Sequence, residues 1–564
     1  MNTSIDTLVA PSATLSPTQG MDWDSERRDK HERLASVSSI LSGKFIPTDK
    51  TTEVLENILR VGDRVALEGN NQKQADFLSR ALAQVDPERV HGLHMLFPSI
   101  SRPEHLDLFE DGIATKVDFA FSGQQSARVA QLIDDGTMQV GAIHTYLELY
   151  SRMFLDLAPQ VSMVAAVAAD REGNLYTGPN TEDTPAISEA TAFRSGIVIA
   201  QVNEIVDKLP RVDIPGSWVD LVVEADKPFE VEPLFTRDPR KLTDVHVLLG
   251  MLTLRGVYEK HQVTSLNHGV GLDTAAIELL LPTYAQRYGL KGKICTHWAL
   301  NPHPNLIPAI ETGWVEKISA FGGEVGMSKY VAARPNIFAT GPDGSLRSNR
   351  MVAQAAGMYA TDMFVGSTLQ VDPYGNSSTV TAGRLAGFGG APNLGSDARG
   401  RRHASPAWLD MAQGEGQLGV QRGQKLVVQI AETFNAGADP KFVEQLDAVA
   451  VGKNAGMDVA PIMVYGDDVT HLVSEEGVAY LYKTQSLEER RKAVSAIAGV
   501  TPLGRTSNPE DVAELRRNGI VAFPEDIGVN PSEASRTLLA AHSIESLVEW
   551  SGGLYEPPAK FRSR

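Results

Sequence analysis

Apolar positions along the chain follow two rhythms. Short unbroken apolar runs at 161–168 and 196–202, rich in Val, Ile and Ala, predict strands buried on both faces of a parallel sheet. Elsewhere the spacing lengthens. Ala75, Phe77, Leu78, Ala81 and Leu82 recur as one face of a helix does. Val61-Gly62-Asp63 predicts a turn into the first core strand, a charged helix is predicted over 24–41, and an apolar one over 243–261.

Two local patterns then occur twice. Val65-Ala66-Leu67-Glu68-Gly69 is answered by Ser265-Leu266-Asn267-His268-Gly269, an offset of 200 residues, and Asp170-Arg171-Glu172-Gly173-Asn174 by Asp372-Pro373-Tyr374-Gly375-Asn376, an offset of 202. Two motifs repeating at nearly one offset predict two related α/β halves. Each first motif reads as strand, glycine turn and helix, which sets backbone N–H groups and the positive end of a helix at a mouth. The expected organisation is a disordered tail at 1–25, an N-terminal domain at 26–235, and a C-terminal domain with an extension at 236–564. The Pro-rich crossing at 230–239 marks the boundary. The stretch 371–406, dominated by Gly, Ser, Asn and Arg, is too long for an ordinary connection and is expected to be functional.

Composition narrows the function. The chain has 564 residues, 42% of them hydrophobic and 22% charged, as globular domains do, and a formal net charge of −18 that disfavours nucleic acid and anionic membranes. A single cysteine, Cys295, rules out a disulfide framework within the chain. The polar N-terminal segment has no apolar signal core, and no apolar run is long enough to span a bilayer. A cytoplasmic protein without membrane insertion is expected.

Gly387-Phe388-Gly389-Gly390-Ala391-Pro392-Asn393 is the sharpest chemical feature. Gly387, Gly389 and Gly390 free the backbone to aim successive N–H groups at one point, as an oxyanion requires. They are the catalytic candidates. Polar side chains near the turns are substrate-binding candidates: Asn70, Asn71, Gln72, Asn267, Asn301 and Asn393, with His297 as a hydrogen-bond donor. Arg399 and Arg401 suit a carboxylate or phosphate. Asp170 and Asp372 are expected to cap their own turns. Histidine and cysteine spacings match no metal pattern.

Several longer stretches carry a family resemblance. They are Glu68-Gly69-Asn70-Asn71-Gln72 within 67–78, Ile143-His144-Thr145-Tyr146 within 141–149, Tyr176-Thr177-Gly178-Pro179-Asn180 within 173–185, the run from His297 through Asn301 to Pro304, and the Gly387–Asn393 loop. From about residue 22 onward the chain resembles the malonate decarboxylase alpha subunits, within the family I coenzyme A transferase superfamily. The resemblance implies two tandem coenzyme A transferase-like open α/β domains with mostly parallel sheets and an active site in the cleft between them. It implies transfer of an acyl carrier protein thiol from acetyl to malonate. It also implies partner decarboxylase (beta and gamma) subunits and a carrier bearing a phosphoribosyl-dephospho-coenzyme A prosthetic group, with no cofactor of the chain's own.

One departure matters. Coenzyme A transferases use a glutamate nucleophile early in the second half, yet no Asp or Glu lies between Glu278 and Glu311. The expectation is that malonate itself attacks the acetyl thioester, giving a mixed anhydride that the carrier thiolate then opens, releasing acetate. Alternatives are a transferase or hydrolase acting on free acyl-coenzyme A, and a catalytically silent sensor. The second expects a degraded glycine loop.

Overall fold

The computed structural model describes residues 23–70, 73–179, 181–229, 231–346, 348–397 and 425–562. The first half is built on a nine-stranded sheet. At its centre Arg64–Leu67 lies between Val161–Ala169 and Leu93–Ser99, both parallel to it. Ile197–Ile205, Leu221–Glu224 and Phe45–Ile46 extend one side; Ala114–Phe121 and Gln139–Ile143 extend the other. Leu175–Tyr176 is the antiparallel exception. The predicted apolar run is buried at every position of Val161–Ala169 except Val167, as a strand covered on both faces must be.

The second half carries an eight-stranded sheet. Ser265–His268, the repeat of Arg64–Leu67, lies between His297–Ala299 and Met363–Ser367. Leu426–Ile430 and His471–Ser474 continue in parallel, and Gly477–Tyr480 and Val521–Ala522 close the edge antiparallel. The repeated strand is thus a central strand in both sheets, and the expected pair of mostly parallel α/β halves is what forms.

The second repeat is also a matched pair of turns. Asp170 Oδ1 accepts the N–H groups of Glu172 and Asn174, and Asp372 Oδ1 those of Tyr374 and Asn376. Gly173 and Gly375 sit at φ +81° and +82°, where a side chain would strain the turn. Asn174 Oδ1 then accepts from Gly216 N, and Asn376 Oδ1 from Gly466 N, each at 2.7–2.8 Å. Both aspartates are structural, as their turn position predicts.

Two expectations shift. The charged helix runs Trp23–Val37, so residues 23–25 belong to its first turn and not to a tail; residues 1–22 lie outside the described residues. Its Arg33 reaches Asp63 in a buried ion pair, which ties the helix to the turn before the first core strand. Within the long polar stretch, residues 370–385 form two small hairpins, Gln370–Val371 with Ser377–Ser378 and Val380–Thr381 with Arg384–Leu385.

Candidate active site

A crevice of about 410 Å³ opens between the halves. It gathers the carboxyl ends of parallel strands from both sheets. Phe121 ends and Gly123 follows Ala114–Phe121, Gly269 and Val270 follow Ser265–His268, and Thr368 and Leu369 follow Met363–Ser367. Open α/β sheets bind ligands at that end. The Pro-rich crossing adds Leu234, Phe235 and Arg237, so the segment joining the halves is itself a wall of the site.

The glycine loop lies in the crevice, as expected, but its N–H groups are differently used. Phe388 N and Gly389 N both donate to Ala120 O, at 2.8 and 2.9 Å, and Gly389 O accepts from Tyr146 N at 3.0 Å. The loop is therefore sewn to the end of a first-half strand. This corrects the expectation of a run of successive free donors: among the described residues, Gly387 N and Gly390 N are the loop glycine donors left without a partner. The glycines answer a packing demand as well. A Cβ on Gly387, at φ +74°, would stand 2.6 Å from Ala120 O, and one on Gly390 would stand 2.5 Å from the Gln354 amide.

The lining is cationic, and none of its described residues is an Asp or Glu. The cations are not equivalent. Arg350 is buried and pinned by Glu182 and Asp183, which raise its pKa well above the ordinary value despite burial. Lys441 is paired with Glu432 at 3.0 Å. Arg237 differs. Its guanidinium donates to the Leu234 and Thr236 carbonyls and forms no ion pair within the described residues. Burial lowers its pKa, against the opposing pull of Glu324 and Glu278. An anionic ligand would relieve that penalty.

Beside it lies a buried hydrogen-bonded chain. Glu278 Oε1 meets His268 Nδ1 at 3.0 Å and His303 Nδ1 at 2.8 Å, and His268 Nε2 meets Tyr258 OH at 2.6 Å. Burial opposes the Glu278 charge, but the two imidazoles outweigh it and hold the carboxyl at about 2. His303 stacks on Phe235 and lines the crevice, and its Nε2 is buried without a partner. Asn267 Oδ1 and Gln354 Oε1, on two further lining residues, are likewise buried and unpartnered. Buried polar atoms normally find partners, and here a polar substrate would supply them.

The remaining candidates divide. Asn267 and Asn301 line the crevice, with their amides anchored on the Ala299 and Gly323 carbonyls. Asn70 does not line it. Its amide donates to Asp183 at 2.6 Å, which makes it part of the buried cluster that orients Arg350. Asn393 sits in the short helix Ala391–Leu394, outside the lining. His297 lies away from the crevice: it is exposed at the amino end of His297–Ala299, bonded to Thr296, while the crevice forms at the carboxyl ends. Asn71, Gln72, Arg399 and Arg401 lie outside the described residues. Cys295 is fully buried in the second-half core, where burial pushes its thiol well up. Among the described residues no cluster of His, Cys, Asp and Glu could hold a metal, and no helix is long and apolar enough to cross a membrane.

Reading the residues alone overlooked Arg237, Arg350, Glu182 and Glu278. One signal was present: Glu278 is the lone charge in the apolar run from Ala275 to Leu281, and a carboxylate there requires a partner. Glu182 had none, although it is buried at φ +47° and bonded to Gly323 N across the halves.

The family model described as malonate decarboxylase, alpha subunit, transporter matches residues 22–564. The acetyl-S-ACP:malonate ACP transferase of Malonomonas rubra is 56% identical over 545 residues, 96% of this chain and 98% of that protein. In a crystal structure of a Pseudomonas malonate decarboxylase hetero-tetramer in complex with malonate, the matching chain is 61% identical with a TM-score of 0.94. The match covers 97% of this chain and 100% of that one. A malonate decarboxylase alpha subunit from Acinetobacter baumannii matches at 61% identity and TM-score 0.93, over 96% of this chain and 100% of its own. The alpha subunit of citrate lyase from Streptococcus mutans shares the fold, with a TM-score of 0.56 at 14% identity over 81% of this chain and 86% of that one.

Proposed function

This chain belongs to the malonate decarboxylase alpha-subunit family, and we propose that it is the enzyme that moves the thiol of an acyl carrier protein from acetyl to malonate. Acetyl-S-carrier and malonate give malonyl-S-carrier and acetate. Its partners in this reading are the carrier, whose thiol is borne on a phosphoribosyl-dephospho-coenzyme A arm, and the decarboxylase subunits that consume the malonyl thioester. The domains divide at 235/236, with the crossing segment as part of the active site.

The observation that supports the reading best is the composition of the crevice. Arg237 offers a guanidinium that forms no ion pair among the described residues, and the described lining supplies no acidic nucleophile. A dicarboxylate substrate supplies both missing charges. One carboxylate pairs with Arg237 in a charge-assisted contact. The other attacks the acetyl carbonyl carbon, the C–S bond breaks, and a malonyl-acetyl anhydride and a carrier thiolate result. The thiolate then attacks the malonyl carbonyl and acetate leaves. Each step passes through an oxyanion, for which the free Gly390 N–H and Gln354 amide stand close together. Holding reactants in register supplies much of the acceleration in such a scheme.

The test combines the purified chain, acetylated carrier and isotopically labelled malonate, followed by mass spectrometry of the carrier. Label on the carrier with release of acetate supports the proposal. A rate on free acetyl-coenzyme A equal to that on the carrier would favour the coenzyme A alternative, and a hydroxylamine-sensitive acyl adduct on this chain would overturn the anhydride.

A further inference from the structure

The Tyr258–His268–Glu278–His303 chain reaches the crevice wall through its two histidines, and the scheme above makes no use of it. Its hydrogen-bond directions are determined by chemistry. Glu278 is held as a carboxylate, which can only accept, so both imidazoles present Nδ1–H to it. Burial lowers the His268 pKa, against the pull of Glu278, so His268 is neutral and its bare Nε2 accepts the Tyr258 hydroxyl proton. That leaves His303 Nε2 as the open end of the chain. It is the second nitrogen of an oriented ring, 4% exposed, unpartnered, and on the wall of the crevice.

We infer that His303 is the proton donor and acceptor for the carrier sulfur, with Glu278 as its positioning residue. This rests on the transfer proposed above. In the first step, malonate oxygen bonds to the acetyl carbonyl carbon and the carbon–sulfur bond breaks. The electron pair stays on sulfur, which takes the Nε2 proton of the His303 imidazolium. The ring becomes neutral and keeps its Nδ1–H on Glu278. In the second step, Nε2 takes the thiol proton back as sulfur attacks the malonyl carbonyl, and acetate departs as the anion. Protons balance over the cycle, and no other reagent is needed. With His268 Nε2 engaged by Tyr258, His303 is the ring whose second nitrogen stays open to the crevice. The charged groups near it are Glu278, bonded to its Nδ1 at 2.8 Å, Glu324, and Arg237 on the same crevice wall.

The experiment measures kcat/KM for acetylated carrier against pH in the full-length chain and in His303→Gln, His303→Ala and Glu278→Gln. The wild-type value should fall on the alkaline side as the imidazolium deprotonates. His303→Gln should lose about 100- to 10,000-fold, the usual worth of general acid–base catalysis, and show no such limb. Added imidazole should restore part of the rate to His303→Ala but not to His303→Gln, and Glu278→Gln should move the limb to lower pH. A folded His303→Gln variant with wild-type rate, or one that is slow yet keeps the alkaline limb, overturns the inference. Failure of the wild-type chain to label the carrier at all is a separate result: it removes the transfer reading, and this inference with it.

Discussion

Tyr146 donates its backbone N–H to the carbonyl of Gly389 at 3.0 Å, joining a helix of the first half to the glycine loop of the second. The same approach leaves no easy room for a side chain on Gly389, which has φ +59° and whose Cβ would stand 3.3 Å from the Tyr146 ring. The same segment both lines the crevice and fastens one half to the other, through Phe388 N and Gly389 N on Ala120 O.

Replacing Gly387 tests that seam. Gly387→Ala forces an L-residue to φ +74° and sets a methyl 2.6 Å from Ala120 O. The left-handed conformation alone costs about 1–2 kcal/mol, and the clash adds to it. A lower thermal midpoint and a slower transfer are expected. Gly383→Ala is the control, because Gly383 has φ +76° but open space around it. It should lose stability to a similar conformational cost while transfer continues at the wild-type rate.

Arg237→Ala should raise KM for malonate about 10- to 100-fold, as loss of a charge-assisted hydrogen bond worth about 1.5–3 kcal/mol requires. KM for acetylated carrier should move much less. Lys441→Ala, which removes a cation already paired with Glu432, should leave malonate KM within about threefold; equal effects of the two would refute the assignment.

Asp118 makes an acid-stability prediction. Burial raises its carboxyl, but the His144 and His94 hydrogen bonds and charges outweigh burial and hold it at about 2, against 3.8 for the free group. A depressed carboxyl stabilises the fold above its unfolded pKa. That stabilisation, about 2 kcal/mol, is lost as pH falls from about 4 toward 2. The thermal midpoint of the wild-type chain should therefore drop more steeply over that window than that of Asp118→Asn. Parallel curves would count against the assignment.

Cys295→Ser should keep transfer within about twofold. The thiol is fully buried and its pKa is pushed up, so it is neither exposed nor ionised as a nucleophile must be. A buried hydroxyl in its place should cost about 1–3 kcal/mol in a denaturant titration. Loss of activity without loss of stability would return the cysteine to the mechanism.

Asp170→Ala and Asp372→Ala should each cost about 1–3 kcal/mol, because each leaves two turn N–H groups without their acceptor. Neither should alter the pH dependence of transfer. A shifted pH profile in either variant would reassign that aspartate to chemistry.

The chain's order of residues was enough for what depends on local spacing. The buried run 161–168 shows as an unbroken apolar stretch and the face from Ala75 to Leu82 as a helical spacing, while the aspartates of the paired turns at Asp170 and Asp372 bond N–H groups within four residues. The same locality placed the glycine loop as a feature of consequence. Residues whose meaning comes from distant partners were not legible. His297 and His303 are six positions apart, yet only the direction of the strand between them sends one to solvent and the other to the crevice. Arg237 and Arg350 look alike as letters. They differ because Glu182 and Asp183, more than 160 positions before Arg350, neutralise one, while carbonyls solvate the other. Charge and desolvation depend on three-dimensional neighbours, and so the chemistry of the site was decided only when the two halves closed on each other.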